Sequence, residues 1–502
     1  MSMKRASGIL LPIFSLPSNY GIGTFGRSAY DFIDFLVETG QSYWQILPLT
    51  PTSYGDSPYQ SFSAQAGNPY FIDFDQLAFE GYLNLEDYQS YACDPSNDSI
   101  DYHMLYQTRP QILKIAVNNF LKKPDSDYDL FIEKSEWLED YSLFMALKEA
   151  FQGQSWQNWP EAIRVRQPNT LNEYRKKLTA NINYHKVCQY FFFKQWQQVK
   201  NYANKKHIQI IGDIPLYVAE DSVDVWTIPQ LFQLNDQKKL QYIAGTPPDY
   251  FSELGQIWGN PVYNWDYHQK TGYQWWFDRL RFSLELYDYL RIDHFRGFEA
   301  YWRIPYQGTE SDARLGQWIK GPGWDFFNHL KKELGPCPII AENLGVQSAQ
   351  LQRLIQKTNF PIMYVLQFAF SGQADNDHLP HAYQANSVAY VGTHDNETAL
   401  GWAQNPTNYF HSLQASSYLN KGPDESISWA MNRGIAASPS KLAIYSMADL
   451  LELSNEARIN TPSTLGNNWR WRITDARVYE SIKKPLIDLT ATYFRYNEKN
   501  NP

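Results

Sequence analysis

Six short apolar runs constrain the fold of this chain more than any other feature of its sequence. They cover residues 43–49, 208–213, 289–293, 338–342, 362–367 and 388–395. Each run is bounded by turn residues and does not alternate with polar residues, which is typical of strands buried on both faces of a parallel sheet. Helical patterns, such as residues 324–334 and 348–358, lie between most of them. This alternation favours an α/β fold, a (β/α)8 TIM barrel, over a doubly wound sheet.

Two long segments depart from this alternation. Residues 84–206 have the 3.6-residue periodicity of helices, so we predict a mostly helical insertion between early barrel strands. Residues 215–276 are poor in strand patterns and rich in Gly, Pro and aromatic residues. We interpret them as a loop-rich lid or subdomain. Residues 1–502 are predicted as a single catalytic barrel that contains both insertions, without a separate C-terminal β domain.

The composition excludes several classes of protein. Lys and Arg total 44 against 53 Asp and Glu, a net charge of −9 without basic runs. Binding to nucleic acid or to an anionic membrane is therefore not expected. The N-terminal apolar run is cut by Pro12 and followed by Pro17, so it is interpreted as part of the fold and not as a signal peptide. The sequence also lacks a stretch of 18 consecutive apolar residues, the length expected of a helix that crosses a membrane. Its three widely spaced Cys predict no disulfide, and we expect a cytoplasmic protein.

Four of the apolar runs end in a carboxylate, namely Asp213, Asp293, Glu342 and Asp395. In a parallel barrel the carboxyl ends of all strands meet at the face where active sites lie. One carboxylate there could simply cap the next helix. Four that converge would repel one another unless catalysis, a metal or nearby cations required them. The pattern therefore predicts an active site built from these side chains.

Neighbouring residues favour acid–base chemistry over a metal site. His294 and His394 could complete a divalent-ion site, but Arg291 lies two residues before Asp293 and therefore on the same side of the strand. A guanidinium beside a carboxylate favours the ionised form that a nucleophile needs. Glu342 follows an uncharged run, where drier surroundings would keep it protonated. Cleavage of a glycosidic bond uses such a pair.

Aromatic residues make up 16% of the chain, and several lie in polar loops beside the predicted carboxylate cluster. Each one by itself is more often part of a core than a platform for a ligand. Their position in Gly/Pro-rich loops favours stacking on sugar rings. The candidates are Tyr54, Tyr59, Tyr250, Phe251, Trp258, Tyr301 and Trp302.

Six ordered motifs resemble those of the amylomaltases, the 4-α-glucanotransferases of the α-amylase clan. They are SYGDSPYQSFSAQAGNPY, GDIPLYVAEDSVDVW, GTPPDYFSELGQIWGNPVYNW, RIDHFRGFEAYW, IIAENLG and GTHDNET. The resemblance extends from SGILLPIFSLPSNYGIG near the start to GNNWRWR near the end. It implies transfer of α-1,4-glucan segments between maltodextrins, with retention of anomeric configuration, on a (β/α)8 barrel.

The resemblance also implies roles for the three carboxylates that carry the reaction. Asp293 would be the nucleophile, Glu342 the general acid and then the general base, and Asp395 a third carboxylate that binds and distorts the sugar. Arg291 would orient Asp293, and Asp213 would support the site.

The remaining roles implied by the resemblance concern the substrate. His394 would bind sugar hydroxyls, and Tyr59 would form a stacking platform near the cleavage point. Tyr54 would belong to a more remote glucan-binding surface. Tyr250, Phe251 and Trp258 would lie in a lid over the acceptor side.

Two positions depart from the family pattern. Asn343 follows Glu342 where Asp is more common, and Gln65 stands where an apolar or aromatic residue is more common. Both departures concern the pKa of the general acid and the preference among sugar subsites.

Two other functions stay open at this point. One is a hydrolase of the same clan, and the other is a glucan-binding protein without catalysis. The intact set of Asp293, Glu342 and Asp395 argues against the second. We expect α-1,4-glucans as substrates (maltooligosaccharides, amylose, glycogen), no metal and no cofactor, and full activity in the presence of a chelator.

Overall fold

Eight parallel strands form a closed barrel in the computed structural model, which describes residues 3–92, 96–248 and 254–499. The described residues contain twelve strands in all, which are β1 Ala6–Leu10, β2 Tyr43–Gln45, β3 Gln209–Ile214, β4 Tyr242–Thr246, β5 Gln256–Pro261, β6 Tyr289–Ile292, β7 Ala300–Pro305, β8 Gln317–Lys320, β9 Ile339–Ala341, β10 Ile362–Val365, β11 Ser387–Tyr390 and β12 Leu442–Ser446. The barrel closes in the order β1, β12, β11, β10, β9, β6, β3, β2. The predicted (β/α)8 barrel is confirmed.

Each of the six apolar runs supplies one barrel strand, and all of these strands except β3 are shorter than their runs. The two strands that close the barrel, β1 and β12, were not recognised from the sequence. Both are five residues long and contain Ala and Ser beside Ile and Leu. Pairing with both neighbours in the closed barrel decides their conformation.

Helices surround the barrel and connect most of its strands. They are α1 Arg27–Glu38, α2 Phe74–Phe79, α3 Tyr102–Phe120, α4 Tyr128–Lys134, α5 Trp137–Ala150, α6 Glu161–Arg164, α7 Pro168–Lys177, α8 Thr179–Lys205, α9 Val223–Thr227, α10 Trp265–Lys270, α11 Gln274–Leu286, α12 Gly323–Leu334, α13 Ala349–Thr358, α14 Ala399–Gln404, α15 Tyr409–Tyr418, α16 Ile427–Ala437, α17 Met447–Leu450 and α18 Val478–Thr492. No helix in the described residues is long and apolar enough to cross a membrane.

Local sequence explains where these helices begin and end, as α13 illustrates. Ser348 caps its N-terminus by accepting a hydrogen bond from the N–H of Leu351, and Asn359 ends it in the left-handed conformation. Leu351, Leu354 and Ile355 form its buried face. The helices predicted for residues 324–334 and 348–358 are thus present as α12 and α13.

Residues 84–206 contain α3 to α8. Helix α8, 27 residues long, packs beside the barrel and supports the loop that precedes α2. The side-chain amide of Gln189 bonds both the N–H and the C=O of Gly67, at 2.7 and 2.8 Å. A Cβ at Gly67 would lie 2.1 Å from the ring of Phe192, so only glycine allows this close approach. The loop that bears Tyr59 is therefore supported from behind by α8.

The segment 215–276, predicted as a loop-rich lid or subdomain, has more strand structure than its sequence pattern indicated. It contains β4 and β5, which join β7 and β8 in a four-stranded antiparallel sheet ordered β5, β4, β7, β8. The predicted end at residue 276 falls inside α11. Both strands were missed because Gly and Pro interrupt them and the register shifts between Ile243 and Gly245. We call this four-stranded sheet the lid sheet below.

Candidate active site

Strand register places Asp213 beside Arg291. The two residues are direct partners in the parallel pairing of β3 with β6, so their side chains lie on the same side of the sheet. Arg291 Nη1 donates to both oxygens of Asp213, at 2.8 and 2.7 Å. Burial opposes the charge of Arg291, but Asp213 and Asp293 outweigh it and hold the pKa of the guanidinium well above its usual range. Arg291 is therefore a permanent positive charge at the bottom of the site.

The same register brings Asp293 and Glu342 to neighbouring strand ends. Ile292 pairs with Ala341 across β6 and β9, and each is followed by one of the two carboxylates. Arg291 Nη2 donates to Asp293 Oδ1 at 2.9 Å. Glu342 Oε2 accepts from the backbone N–H of His294, the residue after Asp293, at 2.8 Å. One guanidinium thus bridges Asp213 and Asp293, while Glu342 lies next to this pair.

Glu342 is set apart from the other carboxylates by its surroundings. Its side chain is buried, 7% exposed. Burial first, and the nearby Asp293 second, raise its pKa to about 7, against the opposing effects of Arg291 and two backbone N–H groups. The sequence predicted drier surroundings for Glu342, and the structure has them. A carboxyl with this pKa can hold a proton near neutral pH and also release it.

Asp395 and His394 lie in the loop after β11. His394 is buried, and its ring stacks on that of Tyr59, with centroids 5.1 Å apart and planes 13° apart. Tyr59 Oη donates to Asp213 Oδ2 at 2.8 Å. Asp395 has a side chain that is 40% exposed, and His394 Nε2 lies 3.4 Å from its Oδ1. These contacts join the β3, β6 and β11 ends into one cluster.

The lid sheet reaches this cluster through Trp258 on β5. The Trp258 ring meets the His294 ring edge to face, with centroids 4.7 Å apart. Burial lowers the pKa of His294 to about 4, so its imidazole is neutral at pH 7. His294 Nε2 has no hydrogen-bond partner among the described residues. Sequence reasoning considered His294 only as a possible metal ligand.

Other predicted residues lie apart from the cluster or outside the described residues. Tyr54 is 69% exposed, on the turn Tyr54–Asp56. Tyr301 and Trp302 belong to β7, where Tyr301 is buried and Trp302 packs against Trp318. Tyr250 and Phe251, with the loop that was predicted to carry them, lie outside the described residues.

The two departures from the family pattern have different surroundings. Asn343 is buried, and its Oδ1 accepts from the N–H of Met363 at 2.8 Å, which ties the end of β9 to β10. Gln65 lies in the loop that α8 supports, where its N–H bonds Ser63 Oγ. It lines a pocket that also borders Tyr59 and Asp213.

Sequence reasoning missed two residues that contact Asp395. Asn460 Nδ2 donates to Asp395 Oδ1 at 2.6 Å, and Arg458 Nη2 donates to the Asp395 carbonyl at 2.7 Å. Both follow β12, which the sequence did not reveal as a strand. Nothing in their local pattern points to the end of β11.

As for metals, no group of three or more His, Cys, Asp or Glu among residues 3–92, 96–248 and 254–499 could hold an ion.

Sequence comparisons relate this chain to known proteins. A family model described as 4-alpha-glucanotransferase matches residues 11–477. The chain belongs to this family. A 4-alpha-glucanotransferase of Streptococcus pneumoniae is 48% identical over 99% of this chain and 98% of its own length. A 4-alpha-glucanotransferase of Clostridium butyricum is also 48% identical, over 96% and 99%.

Solved structures extend the comparison to the fold. An amylomaltase from Streptococcus agalactiae, solved in complex with acarbose, has 47% identity and a TM-score of 0.95, and the alignment covers 98% of this chain and 100% of that one. Membership in the 4-alpha-glucanotransferase family makes the chain an enzyme that transfers α-1,4-glucan segments. The predicted transferase is therefore favoured over the hydrolase and over the binding protein without catalysis.

Proposed function

We propose that Asp293, Glu342 and Asp395 carry out glucan transfer by a retaining double displacement. Glu342 protonates the glycosidic oxygen while Asp293 attacks the anomeric carbon, so the bond to the leaving glucan breaks and a glycosyl-enzyme forms. The 4-hydroxyl of a second glucan then attacks the same carbon and gives its proton to Glu342. Asp293 is released unchanged, and the anomeric configuration is retained after two inversions.

The observation that carries this proposal is the difference between two neighbouring carboxyls. Asp293 accepts a hydrogen bond from a guanidinium that cannot lose its charge. Glu342 is buried, and its pKa is about 7. A nucleophile must present an electron pair and a general acid must hold a proton, so the two environments suit the two roles.

We assign the residues around this pair to sugar binding and orientation. Arg291 orients Asp293, and Asp213 holds Arg291 in place through two hydrogen bonds. Asp395 and His394 would bond hydroxyls of the sugar whose bond is cleaved. Tyr59 has one ring face covered by His394, so a sugar would stack on the opposite face.

The choice between transfer and hydrolysis depends on which nucleophile reaches the glycosyl-enzyme. Water is in large molar excess, so an acceptor sugar reacts first only when it is held in attack geometry and water is excluded. We propose that the lid sheet does this on the acceptor side, because Trp258 on β5 packs against His294 beside the nucleophile.

The preferred substrates would be linear α-1,4-glucans, such as maltooligosaccharides and amylose, and the outer chains of glycogen. Support comes from the amylomaltase of Streptococcus agalactiae, which was solved with acarbose. The exposed aromatic residue Tyr54 would then contact a more distant part of a long chain.

Incubation with maltotriose tests the reaction type. A transferase converts it to glucose plus a ladder of longer maltodextrins, whereas a hydrolase gives only shorter products. Chromatography of the products with time separates these outcomes. A product mixture without chains longer than maltotriose would contradict the proposal.

The variant Asp293→Asn tests the nucleophile. It should lose turnover by several orders of magnitude, since the amide cannot form the glycosyl-enzyme, and it should still bind glucan. Glu133→Gln, exposed on α4, is a control that should retain full turnover. Turnover of Asp293→Asn within tenfold of the wild type would remove Asp293 from the mechanism.

A further inference from the structure

The loop after β12 makes several contacts with the end of β11, and we call residues 458–460 the clamp. The side chain of Asn460 donates to Asp395 Oδ1 at 2.6 Å, and its backbone N–H donates to the His394 carbonyl at 3.0 Å. Arg458 Nη2 donates to the Asp395 carbonyl at 2.7 Å, and Arg458 Nε donates to the Asn460 carbonyl at 2.8 Å. The clamp therefore bonds both the backbone and the side chain of the third carboxylate.

Asp395 needs such support because it is not part of a strand. Strand β11 ends at Tyr390, and Asp395 follows in a turn where its own N–H makes a long bond of 3.3 Å to Thr393 Oγ1. Catalytic groups on loops depend on surrounding contacts for their orientation. Asn460 and Arg458 supply the two shorter bonds to Asp395.

The clamp is itself held by the segment that follows it. The Trp469 N–H donates to the Ile459 carbonyl at 2.7 Å, and the Thr461 N–H donates to Asn468 Oδ1 at 2.9 Å. The Trp469 ring lies 5.9 Å from the ring of His394 and 5.7 Å from that of Tyr59. The clamp is thus held in place by contacts within the chain itself.

We propose that Asn460 and Arg458 are positioning residues for Asp395, an inference that rests on the proposed function. Asn460 fixes one carboxylate oxygen with a neutral donor, so this bond orients Asp395 without adding a cation that would offset its negative charge. The other oxygen can then face the sugar hydroxyls. Arg458 joins the Asp395 and Asn460 backbones, so that the two side chains keep their relative position.

Asn460→Ala is the first test. Hydrogen bonds to charged groups contribute about 1.5–3 kcal/mol, which at about 1.36 kcal/mol per factor of ten corresponds to a loss of about 10- to 160-fold in kcat on maltotriose. KM should change less than about threefold, because a misaligned third carboxylate affects distortion of the sugar more than its binding. Exposed Asn467 lies in the same loop, and Asn467→Ala should retain kcat within twofold.

Asn460→Asp is the second test, because it keeps the shape of the side chain and replaces the donor by a carboxylate. Two carboxylates this close share a proton at low pH and repel one another when both are ionised. The other titratable groups around Asp395 are His394, Arg458 and Tyr59. Burial lowers the pKa of Arg458, and the charges of Glu397 and Asp395 partly offset this effect. None of these groups is changed by the substitution. The kcat of the variant, divided by that of the wild type at each pH, should fall about tenfold or more between pH 5 and pH 8.

Asp395→Asn separates this inference from the proposed function. If Asp395→Asn retains wild-type turnover, the role of Asp395 is wrong. If Asp395→Asn is inactive while Asn460→Ala stays within twofold of the wild type, the positioning role alone is wrong. A ratio of Asn460→Asp to wild type that does not change with pH would also overturn it, since a purely structural defect is independent of this proton. Arg458→Lys should fall between the wild type and Asn460→Ala, because one ammonium cannot span both carbonyls as a guanidinium does.

Discussion

Glu342 should make the folded enzyme less stable above pH 7 than a variant with a neutral side chain at this position. In the folded protein, burial and Asp293 raise the pKa of Glu342 from 4.5 to about 7. Between these values, folded Glu342 holds a proton that the unfolded chain has released. Because the folded state then binds more protons, stability falls as pH rises through this window and levels off above about pH 7.

The magnitude follows from the same two values. One pKa unit corresponds to about 1.36 kcal/mol, so the ionised Glu342 costs the folded state about 3 kcal/mol. Glu342→Gln resembles the protonated acid and avoids this cost. For a chain of 502 residues, the unfolding entropy is about 1 kcal/mol/K. The variant should therefore unfold about 3 °C higher than the wild type at pH 8.5.

Thermal unfolding scans of both proteins from pH 4.5 to 8.5, at constant ionic strength, check this prediction. The two Tm values should agree near pH 4.5 and separate as pH rises, with Glu342→Gln the more stable protein. Glu133→Gln, on the exposed side of α4, should follow the wild type throughout. A Tm difference that is the same at both ends of the range, or a less stable Glu342→Gln at pH 8.5, would refute the reasoning.

Two further predictions concern the same cluster. For the wild type, kcat/KM on maltotriose should decline about tenfold per pH unit well above pH 7, because Glu342 must hold a proton and its pKa is about 7. Initial rates of glucose release measure this decline. A value of kcat/KM that stays constant to pH 9 would contradict the prediction. Asp213→Asn should destabilise the fold by about 3 kcal/mol, because it leaves the buried Arg291 with only part of its compensating charge. Urea unfolding at pH 7 measures this loss of unfolding free energy. An unchanged midpoint would show that the ion pair does not contribute to stability.

Much of the fold follows from patterns that are local in sequence. Six of the eight barrel strands come from apolar runs in the sequence. The start of α13 is likewise marked by the capping residue Ser348 and the apolar residues that follow it. The antiparallel lid sheet does not follow from such patterns. Strands β4 and β5 contain Gly and Pro, and they are strands because β7, from a later segment, pairs with β4.

Four apolar runs that end in carboxylates are enough to predict a cluster of acidic side chains, because the carboxyl ends of parallel strands meet at one face of a barrel. Their different surroundings were decided by the tertiary structure. Pairing of β3 with β6 sets Asp213 against Arg291, and burial at the end of β9 raises the pKa of Glu342. Asn460 reaches Asp395 across 65 residues of sequence. Burial and register are properties of the folded chain as a whole, so local patterns indicate them only in part, as the uncharged run before Glu342 does.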